Sequence, residues 1–211
     1  MDMEKMLVTV ALNELKLLDS RIIKEIDRGS FISSAKKSSP KVSPAMSKEE
    51  FIEEAKSKFN SVKDLIERRA KIKAAIVDSN AKTEVEIDGV KMTRADAIER
   101  KSSINYEKLM LNELKDQLNI HTAKVNSSNY EVDNKIDSLV QAAYGKEGKN
   151  NIKQEDYDAI AKPYREANEW DIVDPLNLKD VIEEMEKRID GFESNIDSTL
   201  QISNCTTYIE F

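Results

Sequence analysis

Apolar residues recur every three or four positions over most of this chain, and the stretches where that rhythm fails mark its turns and connections. Val8, Ala11, Leu15, Leu18, Ile22 and Ile26 line one face of a helix expected from Met3 to about Arg28, with Gly29 as its stop. Residues 30–46 are rich in Ser, Lys and Pro and carry no acid, so they bury too little surface to order themselves and read as a flexible linker or mobile loop. Ser47-Lys48-Glu49-Glu50 announces the next helix, because the Ser hydroxyl can accept from the Glu50 amide while Glu50 reaches back. Its expected seam is Phe51, Ala55, Phe59, Val62, Ile66, Arg69, Ile72 and Ile76. Glu54 with Lys58, Asp64 with Arg68 and Glu67 with Lys71 are favourable pairs four apart. A helix of roughly 30 residues is about 45 Å long, which calls for antiparallel packing against the first helix or against another chain.

Between Thr83 and Thr93 the period shortens to two. Val85, Ile87, Val90 and Met92 hold the apolar positions, and Asp88-Gly89 supplies the positive φ angles of a tight hairpin turn. Thr93-Arg94-Ala95-Asp96 resembles a second capping box and opens a third long helix through Ile98, Ile104, Leu111, Leu114, Leu118 and Val125. Residues 126–174 read as an irregular insert. A short helix holds Ile136, Leu139, Val140 and Ala143, a polar loop runs from Gly145 to Asn151, and a second short helix from Gln154 to Ala167 is disturbed by Pro163. Asp174-Pro175 is expected to open the last helix, whose seam of Leu178, Ile182, Met185, Ile189, Phe192 and Ile196 alternates steps of three and four. The tail Thr206 to Phe211 is β-prone and could add a strand to the hairpin. The expected fold is one mainly α domain over residues 1–211, with long antiparallel helices in a coiled-coil-like bundle and one small β-hairpin.

Composition agrees: 39% hydrophobic and 35% charged residues with only 5 Gly and 4 Pro suit long helices with narrow seams and solvated outer faces. The net charge of −7 argues against general nucleic-acid binding, which depends on Lys and Arg neutralising phosphates. Cys205 is the single cysteine, so no internal disulfide is available. The matches Asn126-Ser127-Ser128 and Asn204-Cys205-Thr206 to a glycosylation acceptor mean little without entry to a secretory route. The run Leu7 to Leu18 is interrupted by Asn13, Glu14 and Lys16, and no segment approaches the ~20 apolar residues of a membrane span. The expectation is a cytoplasmic protein of a bacterium, or of a virus acting in one.

Candidate chemistry is sparse. A di-metal helical bundle needs Glu three residues before His, but His121 is the one histidine and position 118 is Leu. One His and one Cys supply no zinc ligand set, and no Gly-rich phosphate loop occurs, so neither metal nor cofactor is expected. Cys205 and His121 are the sole papain-type pair, and a small core residue is the plainer reading of that cysteine. Glu49, Glu50, Glu53 and Glu54 read as a solvated helix start favoured by the macrodipole. Arg68, Arg69, Lys71 and Lys73 could meet an anion beside the hairpin, although ordinary surface charge accounts for them. Trp170 and Tyr164 read as caps on a core, or as the wall of a ligand pocket.

Three stretches resemble one family. Asp78-Ser79-Asn80-Ala81-Lys82-Thr83, then Asp88-Gly89, then Thr93 to Arg100 are similar to the Asn-x-x-Thr, Asp-Gly-x-x-Leu/Met-Thr and distal Arg pattern of the DIP1984 family, whose members are sometimes labelled septicolysin. Trp170-Asp171-Ile172-Val173-Asp174-Pro175 resembles the segment before that family's last helix, and Asn204 to Phe211 resembles its ending. The likeness covers roughly two thirds of the chain through short motifs. It departs in the Ser/Lys-rich linker, in a longer stretch from about Asn126 to Tyr164, and at Cys205, where the family pattern has Trp. The resemblance implies a helical protein with a hairpin and no established activity; the septicolysin label suggests a lysin, but nothing in the chain resembles a membrane-inserting segment.

The first functional expectation is therefore a non-enzymatic helical scaffold that self-associates, as a dimer or higher ring, and acts by binding. The alternative is a phage or bacterial protein, in an anti-defence role for instance, that sequesters an anionic nucleotide-type molecule at a subunit junction. Asn80, Thr83, Arg94 and Arg100 would supply amide, hydroxyl and guanidinium donors, with Arg68, Arg69 and Trp170 as further candidates. A protein partner could take the place of the anion, and a lytic toxin or hydrolase is the third reading.

Overall fold

The computed structural model describes residues 4–148 and 152–211. In chain order its elements are β1 (Lys5–Leu7), α1 (Val8–Arg28), β2 (Lys41–Ser43), β3 (Met46–Ser47), α2 (Lys48–Lys82), β4 (Glu84–Ile87), β5 (Val90–Thr93), α3 (Arg94–Gly148), α4 (Gln154–Asn168), α5 (Leu178–Thr206) and β6 (Tyr208–Glu210). The fold is mainly α, with strands only as two-stranded antiparallel pairs among the described residues. Contacts sort the chain into two compact units, Met1–Ser102 with Gly191–Phe211, and Ser103–Asp190. Each is taken by itself, and α3 and α5 contribute residues to both.

In the first unit α1 and α2 form a helical hairpin around Val8, Ala11, Leu15, Leu18, Ile72 and Ile76. The α2 capping box forms as its residues dictate: Glu50 N–H donates to Ser47 Oγ at 3.1 Å, and Ser47 N–H donates to Glu50 Oε2 at 2.8 Å. Of the three expected pairs on α2, Glu54 meets Lys58 at 2.5 Å. Arg68 instead turns to carboxylates at positions 4 and 14, which offer it a bidentate fork, and Glu67 pairs with Lys63 at 3.7 Å. The expected α2 seam also divides. Val62, Ile72 and Ile76 are buried, but Phe59 is 60% and Ile66 47% exposed. A step of seven residues falls short of two full turns of a straight helix, so such positions drift around its surface.

The chain is extended at Lys5–Leu7 and helical only from Val8; the expected start at Met3 lies outside the described residues. The C-terminal strand pairs with β1, not with the hairpin, in the register Lys5↔Glu210, Met6↔Ile209 and Leu7↔Tyr208. Because β1 runs directly into α1, that pairing lands Ile209 on the α1–α2 core. Within residues 30–46, β2 pairs with β3 across a bulge, and Lys48 donates to the backbone oxygens of Lys36 and Lys37.

The hairpin β4–β5 has the expected register, with Asp88 at φ 51° and Gly89 at φ 75° in its turn. Val85 and Ile87 are buried. Its Asp88 carboxylate sits against α5 at Gly191, where a Cβ would stand 2.1 Å from Asp88 Oδ2. Thr93 caps α3, accepting from the Asp96 amide at 3.0 Å.

In the second unit α3 continues as helix through residues 126–144, where an irregular insert was expected, and leaves helical geometry at Gly145. Val132, Ile136 and Val140 stand four apart on one face and pack against Ala161, Tyr157, Ile160 and Tyr164 of α4, which is what sustains the helix. The polar loop read over Gly145 to Asn151 falls partly outside the described residues. α4 runs through Pro163, which is exposed. The last helix begins at Leu178 and not at Pro175, because Asn177 takes a positive φ of 54° while Asp174 accepts from the amides of Leu176 and Leu178 at 3.1 and 2.7 Å. Its seam packs as read, with Ile182, Met185 and Ile189 buried here and Phe192 and Ile196 in the first unit. The pairs Glu107–Arg188 and Lys115–Glu186 set α3 and α5 antiparallel.

Candidate functional site

Arg94 opens α3 at the base of the hairpin, where its N–H donates to Thr83 O at 2.8 Å. Its side chain is wholly buried, with a relative exposure of 0%. One terminal nitrogen donates to Ser79 Oγ at 2.6 Å, and the other reaches Ser203 Oγ at 3.3 Å and Asn204 Oδ1 at 3.2 Å. Nε has no partner. All three acceptors are neutral, and burial pushes the guanidinium pKa down. Ser79 lies in the last turns of α2, and Ser203 and Asn204 in the last turn of α5. Two helix C-termini, each carrying roughly half a negative charge, therefore face the buried cation in place of a carboxylate.

The structure brings Thr83 and Arg94 together at this junction, and Ser79 Oγ lies 3.5 Å from Thr83 Oγ1. Asn80 is half-buried on the same last turn of α2. Arg100 lies over the Phe192 ring at 4.5 Å. Arg68 and Arg69 are engaged elsewhere by the chain's own acids. Arg68 gives its two terminal nitrogens to Glu4 at 2.7 and 2.9 Å and Nε to Glu14 at 2.6 Å, and stacks over Phe211 at 5.5 Å; Arg69 pairs with Asp19. Hydrogen bonding from Arg68 lowers the Glu4 pKa, and the two acids raise that of Arg68. Ser79, within the stretch Asp78 to Thr83, and Ser203 complete the Arg94 junction; Ser203 carried no sequence signal of its own, since it lies 109 residues from Arg94.

The second unit holds a cleft of about 450 Å³. α4 covers α3 around Val132 to Val140, and α5 begins only at Leu178; between them the extended segment 169–177 lies over Leu118 and Val125. An extended strip fills less space than a helix, and the cleft is what remains. Asn129 pins the strip with two bonds to the Trp170 backbone, accepting from its N–H at 2.8 Å and donating to its carbonyl at 2.9 Å. Trp170 lines the cleft and is 47% exposed, so it does not cap a core, whereas Tyr164 packs in the α3–α4 cluster. Lys124 Nζ stands 4.9 Å from the Trp170 ring centre, and His121 lines the same wall. Lys124 carried no sequence signal, and His121 stood out in the sequence only as the one histidine.

Cys205 is exposed and meets Thr9 Oγ1 at 3.3 Å; it belongs to the first unit and His121 to the second. Among the described residues no group of three or more His, Cys, Asp or Glu side chains could hold a metal ion, and no helix is long and apolar enough to cross a membrane. No family model, curated protein or solved structure matches this chain.

Proposed function

We propose that this protein is a non-enzymatic helical scaffold that self-associates and works by binding. The observation that carries the reading is a second apolar seam on α2. Ile52, Phe59 and Ile66 follow one another at seven-residue steps, Val77 continues the stripe, and all four are about half exposed. A heptad stripe left over after α1 has been packed is the pattern with which a helix meets a copy of itself.

A cytoplasmic location belongs to the same proposal, as does membership of the DIP1984 family. Its support is that three separated motif stretches, those holding Ser79 and Thr83, Arg94, and Asn204, converge on the single buried guanidinium.

Sedimentation velocity tests the self-association. The wild-type chain should sediment as a dimer or larger species at micromolar concentration, and Phe59→Glu with Ile66→Lys should sediment as a monomer with helical circular dichroism intact. A wild-type monomer, or a double variant that assembles unchanged, overturns the reading.

A further inference from the structure

We propose that the Trp170 cleft is a binding site for a small amphipathic acid, one anionic headgroup on an apolar body. The body follows from the walls: Leu114, Leu118, Val125 and Leu178 present hydrocarbon, and Trp170 an aromatic surface. A volume of about 450 Å³ lies within the range of small-molecule sites, which are mainly apolar with a few placed polar groups.

The sign of the headgroup follows from which polar groups the chain has already used. Both acids of the cleft serve the backbone: Asp171 accepts from the Ile172 amide at 2.7 Å, and the two oxygens of Asp174 accept from Leu176 and Leu178. Gln117 donates to Glu113 at 2.8 Å. Lys124 has no carboxylate partner among the described residues; its ammonium rests over the Trp170 ring. His121 stands one turn before Lys124 on the same helix. Lys124 is the one cationic side chain of the cleft, so an anionic headgroup placed beside it pairs with its ammonium, whereas a cation there would be repelled. The strip that forms the far wall is held by Asn129 at one end and by Asp174 at the other, so the cleft is largely formed before any ligand arrives.

The site reports on itself, because Trp170 is the only tryptophan in the chain. Its emission is followed on titration of the full chain with octanoate, octyl phosphate, octanol and octylamine. Octanoate or octyl phosphate should shift the emission saturably, with octanol about tenfold weaker and octylamine weaker still. Lys124→Gln, an exposed position, should weaken the acids about tenfold and leave octanol unchanged. Equal binding of octanol and the acids, tighter binding of octylamine, or no saturable change with any probe overturns the site. So does emission that tracks protein concentration without ligand, which would place a second copy in the cleft. The site is independent of the α2 seam: monomeric Phe59→Glu, Ile66→Lys protein should bind the acids as wild type does, so failure of one proposal is separable from failure of the other.

Discussion

A buried arginine among neutral acceptors is costly unless something else balances its charge. At Arg94 the two helix ends supply that balance, and the bonds to Ser79, Ser203 and Asn204 join α2, α3 and α5 at one point. Arg94→Ala should leave three polar groups facing a cavity and cost about 3 kcal/mol, measured by urea unfolding; a loss below about 1 kcal/mol would show that the junction does not tie the helices. Arg68 works at the surface of the same unit through Glu4. The Glu4 pKa is lowered from an ordinary 4.5 by Arg68, so the pair's contribution is present above pH 4.5 and disappears as pH falls through the lowered value. The midpoint of thermal unfolding should fall on acidification below that point, and Glu4→Gln should flatten the acid limb; an unchanged limb in the variant would remove the pair from the account. Arg94 as a residue of interest was legible from its place after the hairpin. That Ser203 and Asn204 would meet it was not, because they lie more than a hundred residues away, whereas Ser79 stands only 15 residues before it.

At the scale of elements, local chemistry sets the boundaries and packing sets the faces. Ser47 and Glu50 start α2, Thr93 and Asp96 start α3, and Asp88-Gly89 turns the hairpin, each through groups within four residues of one another. Gly89 is required for its backbone alone, since nothing lies within 4 Å of the place its Cβ would take. Gly89→Ala should therefore cost about 1 kcal/mol through its positive φ, with helical circular dichroism unchanged; a neutral result in chemical denaturation would show that the turn relaxes freely. The faces needed more than periodicity. Phe59 and Ile66 fit a seam with Val62 and Ile72 on paper, yet α1 covers only one side of α2, and the two residues fall on the other.

For the molecule as a whole, the proposed self-association draws on the surface left when each unit has packed what it can, the exposed α2 stripe of Ile52, Phe59, Ile66 and Val77 included. The amino-acid order by itself determined the helical class, the hairpin, the capped starts of α2 and α3 and the α5 seam, because each depends on groups close together along the chain or on a repeat within one helix. Tertiary structure alone decided that β6 meets β1, that α3 continues through Val132 to Val140 under α4, that Arg68 turns to Glu4 and Glu14, and that a cleft opens beside Trp170. Those outcomes depend on which distant segments arrive at the same place, and a periodic pattern holds no information about its partner's address.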